Sequence, residues 1–202
     1  VAEGSQKGSL SLAQLHAMID ANERIKYDTR NRNLLKTRNA LLLKFLYLTA
    51  ARRSEAANLK WEDLQQDGEF QVVILQQTKS GEPQKLKLRR ELFEELECWN
   101  ETLKTNQIEC EWVFPSLSFR TLGGKMSGKG VNDVVSKLGS AIGLKISAHY
   151  LRHTAITLAL ELGEPLQKVQ SYARHASANT TIRYFHDQQF LEKNPTDRLP
   201  MI

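Results

Sequence analysis

The chain has 202 residues, 41% of them hydrophobic, and carries 28 Lys and Arg against 23 Asp and Glu, a formal charge of +5. That suits one domain of roughly 150 residues with a small extension, and the apolar content excludes a disordered, collagenous or coiled-coil chain. No apolar run approaches the roughly 18 residues of a membrane span, residues 1–8 lack a signal-peptide stretch, and Cys98 and Cys110 read as reduced cytosolic thiols.

Ser9 or Ser11 caps a first predicted helix, with Leu12, Leu15, Met18 and Ile19 on one face. A polar, basic stretch over 23–33 leads to a long apolar helix over 34–50 and a short one in R-S-E-A-A-N-L. The period then changes. Residues 70–75 and 84–88 read as two strands, joined through the turn-rich T-K-S-G-E-P, and W-V-F-P at 112–115 reads as a third. Helices are expected over 90–104, 128–142, 149–162 and 165–173, with Gly163 and Pro165 marking a stop and a new start. Residues 177–193 read as a broken helix. The fold class expected is α+β: mainly helical, with a small antiparallel sheet packed on a helical core.

The basic residues are segregated. Seven lie in 23–44 (Arg24, Lys26, Arg30, Arg32, Lys36, Arg38 and Lys44) against Glu23 and Asp28, while 84–90 and 115–130 hold no acid. Such segregation suits a surface that follows a phosphate backbone. It equally suits a solvated helix face, and charge alone does not decide between them.

Three stretches carry chemistry. In H-Y-L-R-H, residues 149–153, His149, Arg152 and His153 share a helix face. A zinc-protease pattern needs Glu beside the first His, where Tyr150 stands, and no further ligand cluster is evident, so no metal site is expected. An Arg and a His on an otherwise apolar helix instead call for an anionic partner; a hydrogen-bonded core residue is the bland alternative for His153. In A-A-R-R-S-E, Arg52 and Arg53 follow the long apolar helix and Glu55 can pair with Arg52; a surface ion pair of little worth is the bland alternative. In A-R-H-A-S-A-N-T-T-I-R-Y, His175 precedes Tyr184, a nucleophile candidate if basic residues surround it.

R-x-S-E, a hairpin Lys, H-x-L-R-H and H-x8-Y, in this order, resemble the tyrosine recombinases, or phage integrase family, over roughly residues 10–187. The resemblance implies catalytic roles for Arg52, Lys79, His149, Arg152, His175 and Tyr184, the last as nucleophile. Glu55 and His153 match supporting positions; Arg53 and Lys85 are the rival assignments to Arg52 and Lys79. Arg174 stands where the family often has glycine. It is grouped with Arg53, Arg120, Lys125 and Lys129 as an expected DNA contact. Tyr150, Ala50 and Ala51 also depart from the common pattern without removing a catalytic group.

The function implied is site-specific DNA strand cleavage and rejoining through a 3′-phosphotyrosine with a free 5′-hydroxyl, requiring no metal, other cofactor or ATP. Type IB topoisomerases and telomere resolvases share this chemistry, and a catalytically silent DNA-binding module is the alternative from another class. The partners implied are double-stranded DNA and three further copies in a tetramer on DNA, with a monomer in isolation, and no membrane. The expected organisation is a flexible leader over 1–8, a catalytic domain over 9–187, and a tail over 188–202 that docks on a neighbouring protomer. The core-binding domain that relatives use to clasp DNA is expected to lie outside these residues. The expected location is a bacterial or archaeal cytosol or nucleoid.

Overall fold

A computed structural model of the chain describes residues 9–27, 29–76 and 82–174. Lys79, His175, Tyr184 and the tail expected over 188–202 lie outside the described residues.

Helix α1 (Leu12–Arg24) begins where its cap predicts: Ser11 Oγ accepts from the Gln14 amide, and Gln14 Oε1 accepts from the Ser11 amide. This reciprocal pair satisfies two of the donors that a helix start leaves unpaired. Leu15, Met18 and Ala21 are buried, whereas Leu12, expected on the same face, stays half exposed.

Helix α2 (Arg32–Thr49) is the core of the molecule. Leu42, Phe45 and Leu46 are fully buried, with Phe45 tilted against Phe114 at a ring separation of 5.5 Å. It is followed by the five-residue α3 (Arg53–Ala57). Isolated helices this short are unstable; here Glu55 reaches back to the Arg52 amide at 2.7 Å and supplies the cap.

The sheet is a three-stranded antiparallel meander of β1 (Leu64–Asp67), β2 (Phe70–Leu75) and β3 (Gln84–Lys87). β2 and β3 stand where the sequence predicts them, β3 by its alternation. β1 was not predicted, and the 112–115 segment is not its substitute. That segment forms isolated bridges, Lys60 to Trp112 and Pro115 to Lys125, while Val113 and Phe114 fill the core. L-Q-Q-D lacks alternation because nearly all of it faces solvent. Its readable signal is Gly68, one residue short of the apolar run that starts at Phe70. Asp67 pairs with Phe70 across a two-residue turn in which Gly68 takes φ 60°.

Helix α4 (Arg90–Thr105) buries Leu92, Leu96, Trp99 and Leu103, and Trp99 Nε1 donates to Val113 O at 2.9 Å. Helices α5 (Gly128–Ser140), α6 (Ala148–Glu161) and α7 (Leu166–Ala173) complete the domain. No described helix is long and apolar enough to cross a membrane.

Gly139, inside α5, lies against Ile146. A Cβ there sits well inside contact distance of Ile146 Cγ1 and 3.1 Å from Leu144 O. Gly139→Ala gains about 1 kcal/mol of helix propensity, but overpacking a well-filled core costs typically 1–3 kcal/mol. A net drop in the urea midpoint is expected. A raised midpoint would mean that the core yields at no cost.

Candidate active site

The last turn of α2 organises the site. A helix end leaves carbonyls without intrahelical partners, and these carry the negative end of the helix dipole. Here they are satisfied by side chains far away in sequence. Tyr172 Oη donates to Tyr47 O and Leu48 O at 3.3 and 3.1 Å. Arg174 Nη1 donates to Thr49 O at 3.0 Å and its Nη2 to Ala50 O at 2.8 Å. Arg152 Nη1 reaches the same Ala50 carbonyl at 2.5 Å. Burial pushes the Tyr172 phenol far up, so this tyrosine is a structural donor.

Arg52 and Arg152 come from α2–α3 and α6, yet they donate to consecutive carbonyls at the end of α7. Arg52 Nη2 meets Arg174 O at 3.3 Å, and Arg152 Nη2 meets Ala173 O. Arg52 is fixed from its other side by Glu55 Oε1 at 2.6 Å. His149 joins them from the first turn of α6. Its pKa is held below the usual imidazole value by partial burial, then by the charges of Arg152 and Arg52. The structure therefore brings Arg52, Glu55, His149 and Arg152 together. His153 lies one turn on, 3.3 Å from Thr157 Oγ1. Among the described residues no group of three or more His, Cys, Asp or Glu could hold a metal ion.

The hairpin that carries Lys79 is anchored at its base. Buried Asp63 accepts from the Lys60 amide at 2.9 Å and from Gln76 Nε2 at 2.8 Å, immediately before the residues that are not described. Lys85, the rival to Lys79, is paired with Asp67 at 2.9 Å on the exposed sheet.

The basic residues divide. Arg53 and Lys129 are exposed at the starts of α3 and α5, and the Arg53 stem runs along Gly128. Arg120 and Lys125 are exposed on the loop before α5, with Lys125 over the Trp112 ring at 5.2 Å. Arg174 departs from its expected role as a DNA contact. Its side chain is 1% exposed and its guanidinium is spent on carbonyls and on Glu55. Arg38, in the basic 23–44 stretch, is also buried, bonded to Asn39 Oδ1 and Pro115 O, and burial lowers its pKa to about 10. Lys36 and Lys44 pair with Glu23 and Glu95. A residue count could not reveal that these charges face inward or are neutralised.

Residues 9–190 match the phage integrase family. The chain belongs to that family. A tyrosine recombinase of Synechococcus elongatus is 31% identical over 173 residues, covering 84% of this chain and 53% of that protein. XerA of Pyrococcus horikoshii is 33% identical over 147 residues, covering 73% and 50%. This integrase-family chain thus spans about half the length of these relatives. Its fold is shared with a XerH site-specific recombinase bound to its difH substrate before cleavage, at TM-score 0.75 and 23% identity over 100% of this chain and 57% of that one. It is shared also with XerA recombinase, at TM-score 0.71 and 21% identity over 100% and 67%.

The lowered pKa of His149 has a consequence for pH. A histidine whose folded pKa is depressed contributes stability that is fully present above the unfolded value of about 6.5 and lost as pH falls through the folded pKa. At neutral pH the ring is therefore a neutral acceptor. The acid limb of any strand cleavage that uses it is expected below pH of about 6.5, and His149→Gln is expected to remove that limb. A limb that persists in the variant would assign it to another group.

Proposed function

We propose that this chain is the catalytic half of a site-specific DNA recombinase that cleaves and rejoins strands through a tyrosyl-phosphate intermediate. The observation that carries the reading is the convergence of Arg52 and Arg152 on the consecutive carbonyls of Arg174 and Ala173, with His149 in the field of both guanidiniums. The family's nucleophile position, Tyr184, follows nine residues after His175 in the sequence.

The phosphodiester of double-stranded DNA is the substrate. Arg52 and Arg152 supply planar donors that keep their charge as negative charge grows on the nonbridging oxygens. Glu55 holds the first of these, and His153 braces the α6 side. The hydroxyl of Tyr184 attacks phosphorus and its proton passes to neutral His149, since a phenol of pKa about 10 is otherwise a weak nucleophile at neutral pH. The bond from phosphorus to O5′ breaks, and Lys79 protonates the leaving oxygen. His175 donates to a phosphate oxygen. The product is a 3′-phosphotyrosine and a free 5′-hydroxyl. The phosphoester count is unchanged, so a 5′-hydroxyl of another strand reverses the step without ATP. Arg53, Arg120, Lys125 and Lys129 contact the DNA backbone around the site. Strand exchange between two duplexes requires four such active sites, so the assembled form is a tetramer on DNA, with the tail over 188–202 reaching a neighbouring protomer. The setting of this reaction is the cytoplasm.

The test is covalent trapping in EDTA on a pool of nicked duplexes with a randomised recognition segment. The nick lets the cleaved strand escape, so the intermediate accumulates. The expected result is an adduct stable on a denaturing gel, mapped by peptide sequencing to Tyr184, with one enriched DNA sequence. An adduct without sequence enrichment would favour a topoisomerase-like activity. DNA binding with no adduct, from this chain and from the same chain with its upstream half supplied, would overturn the catalytic reading.

A further inference from the structure

Arg174 occupies a position that family resemblance gives to glycine, and the structure shows what fills that place. Its backbone is left-handed, at φ 54°, a conformation that favours glycine over a residue with a Cβ. Its guanidinium is buried, and its Nε has no hydrogen-bond partner among the described residues. Burying a charge, leaving one of its donors unpaired and adopting a left-handed backbone all oppose stability. Sites that break several local rules at once are where function is found.

The connections of Arg174 give that function. Glu55 has two carboxylate oxygens. Oε1 binds Arg52 Nη1 at 2.6 Å, and Oε2 binds Arg174 Nη2 at 2.9 Å while accepting the Arg52 amide at 2.7 Å. The other arm of Arg174 holds Thr49 O and Tyr172 O, both at 3.0 Å. Its own carbonyl accepts from Arg52 Nη2. Ala50 O, shared between Arg174 and Arg152, belongs to a second left-handed residue, at φ 47°. A single guanidinium thus ties the end of α2, the end of α7 and the carboxylate that aims Arg52.

We propose that Arg174 is a positioning residue for strand cleavage, fixing the Glu55–Arg52 pair and the Ala50 carbonyl that Arg152 uses, without itself touching DNA. This rests on the recombinase reading above. Glycine at this position leaves Glu55 held by Arg52 alone and the carbonyl of Thr49 without this donor, so the Glu55–Arg52 pair gains freedom.

The experiment compares the full 202-residue chain with Arg174→Gly, which accepts the left-handed backbone, and Arg174→Lys, which keeps charge but not the fork. Three properties are read: the Nε–H NMR signal of Arg52 in the free protein, the salt dependence of binding to a mixed-sequence duplex, and the saturating rate of adduct formation on the nicked duplex. For a folded Arg174→Gly chain the expected result is a motionally averaged Arg52 signal, an unchanged salt slope and half-saturating DNA concentration, and a saturating rate reduced roughly a hundredfold, the loss that small misplacements of reacting groups bring. Arg174→Lys is expected to restore part of the rate and of the Arg52 signal.

A salt slope shallower by about one phosphate contact would overturn the positioning role in favour of direct DNA contact. An unchanged rate with an ordered Arg52 would overturn it outright. If Arg174→Gly fails to fold, the lysine variant carries all three readouts. If neither the parent chain nor the same chain with its upstream half supplied forms an adduct on any duplex, the recombinase reading falls, while the Arg52 signal still decides whether Arg174 orders that side chain.

Discussion

Arg152→Ala is expected to lower the single-turnover rate of strand cleavage by roughly 10²–10³-fold, the usual cost of removing one preorganised donor to a charge that develops in the transition state. The same substitution is expected to destabilise the chain. Arg152 is buried, and it bridges the carbonyls of Ala50 and Ala173, two chain ends that no backbone ladder joins. Ala50 O keeps Arg174 as a donor, whereas Ala173 O loses its guanidinium. An orphaned buried group costs about 1–3 kcal/mol, so the denaturation midpoint falls with the rate. Arg152→Lys separates the two effects. An ammonium is a compact point donor and cannot span both carbonyls in one plane; stability is expected to recover in part while cleavage stays low. Cleavage at the parental rate in a folded Arg152→Ala chain would remove this residue from the phosphate clamp.

Tyr184→Phe is expected to abolish the covalent adduct completely while leaving duplex binding and the unfolding midpoint near those of the parent. In the proposed reaction the phenol oxygen bonds to phosphorus, and phenylalanine keeps the ring without it, so no residual covalent rate is available through this residue. Tyr172→Phe is the matching control. Its hydroxyl is buried against the last turn of α2 and holds Tyr47 O and Leu48 O. Losing it costs about 0.5–1.5 kcal/mol for a typical hydrogen bond and leaves the nucleophile in place. An adduct that survives Tyr184→Phe and disappears in Tyr172→Phe would reverse the assignment of the two tyrosines.

The element pattern was largely legible in the sequence because it rests on local physics. The Ser11 cap and the spacing of Leu15 and Met18 define α1, the run of leucines around Phe45 defines α2, and Leu92, Leu96, Trp99 and Leu103 define the buried face of α4. The alternation in Q-K-L-K-L gives β3, and Gly163 with Pro165 separates α6 from α7. What failed was the edge of the sheet. β1 is exposed along most of its length and owes its existence to pairing with β2, which its own pattern does not encode. The segment 112–115 is strand-like in composition, but its apolar side chains are needed in the core beneath α4.

For the site, the sequence by itself determined which chemical groups are available: the R-x-S-E, H-x-L-R-H and H-x8-Y residues, their order and their family. It could not determine where each charge points. Arg52, Arg152 and Arg174 are all arginines in basic surroundings, yet Arg152, Arg174 and Arg38 are buried and Arg52 is half-buried, while Arg53 and Lys129 remain exposed. The direction of a long side chain follows the nearest strong acceptor, and for Arg152 and Arg174 that acceptor is the carbonyl end of α2, which α6 and α7 meet only after the chain has folded. Composition counts charges; the tertiary structure decides which of them a helix end has already claimed and which stay at the surface.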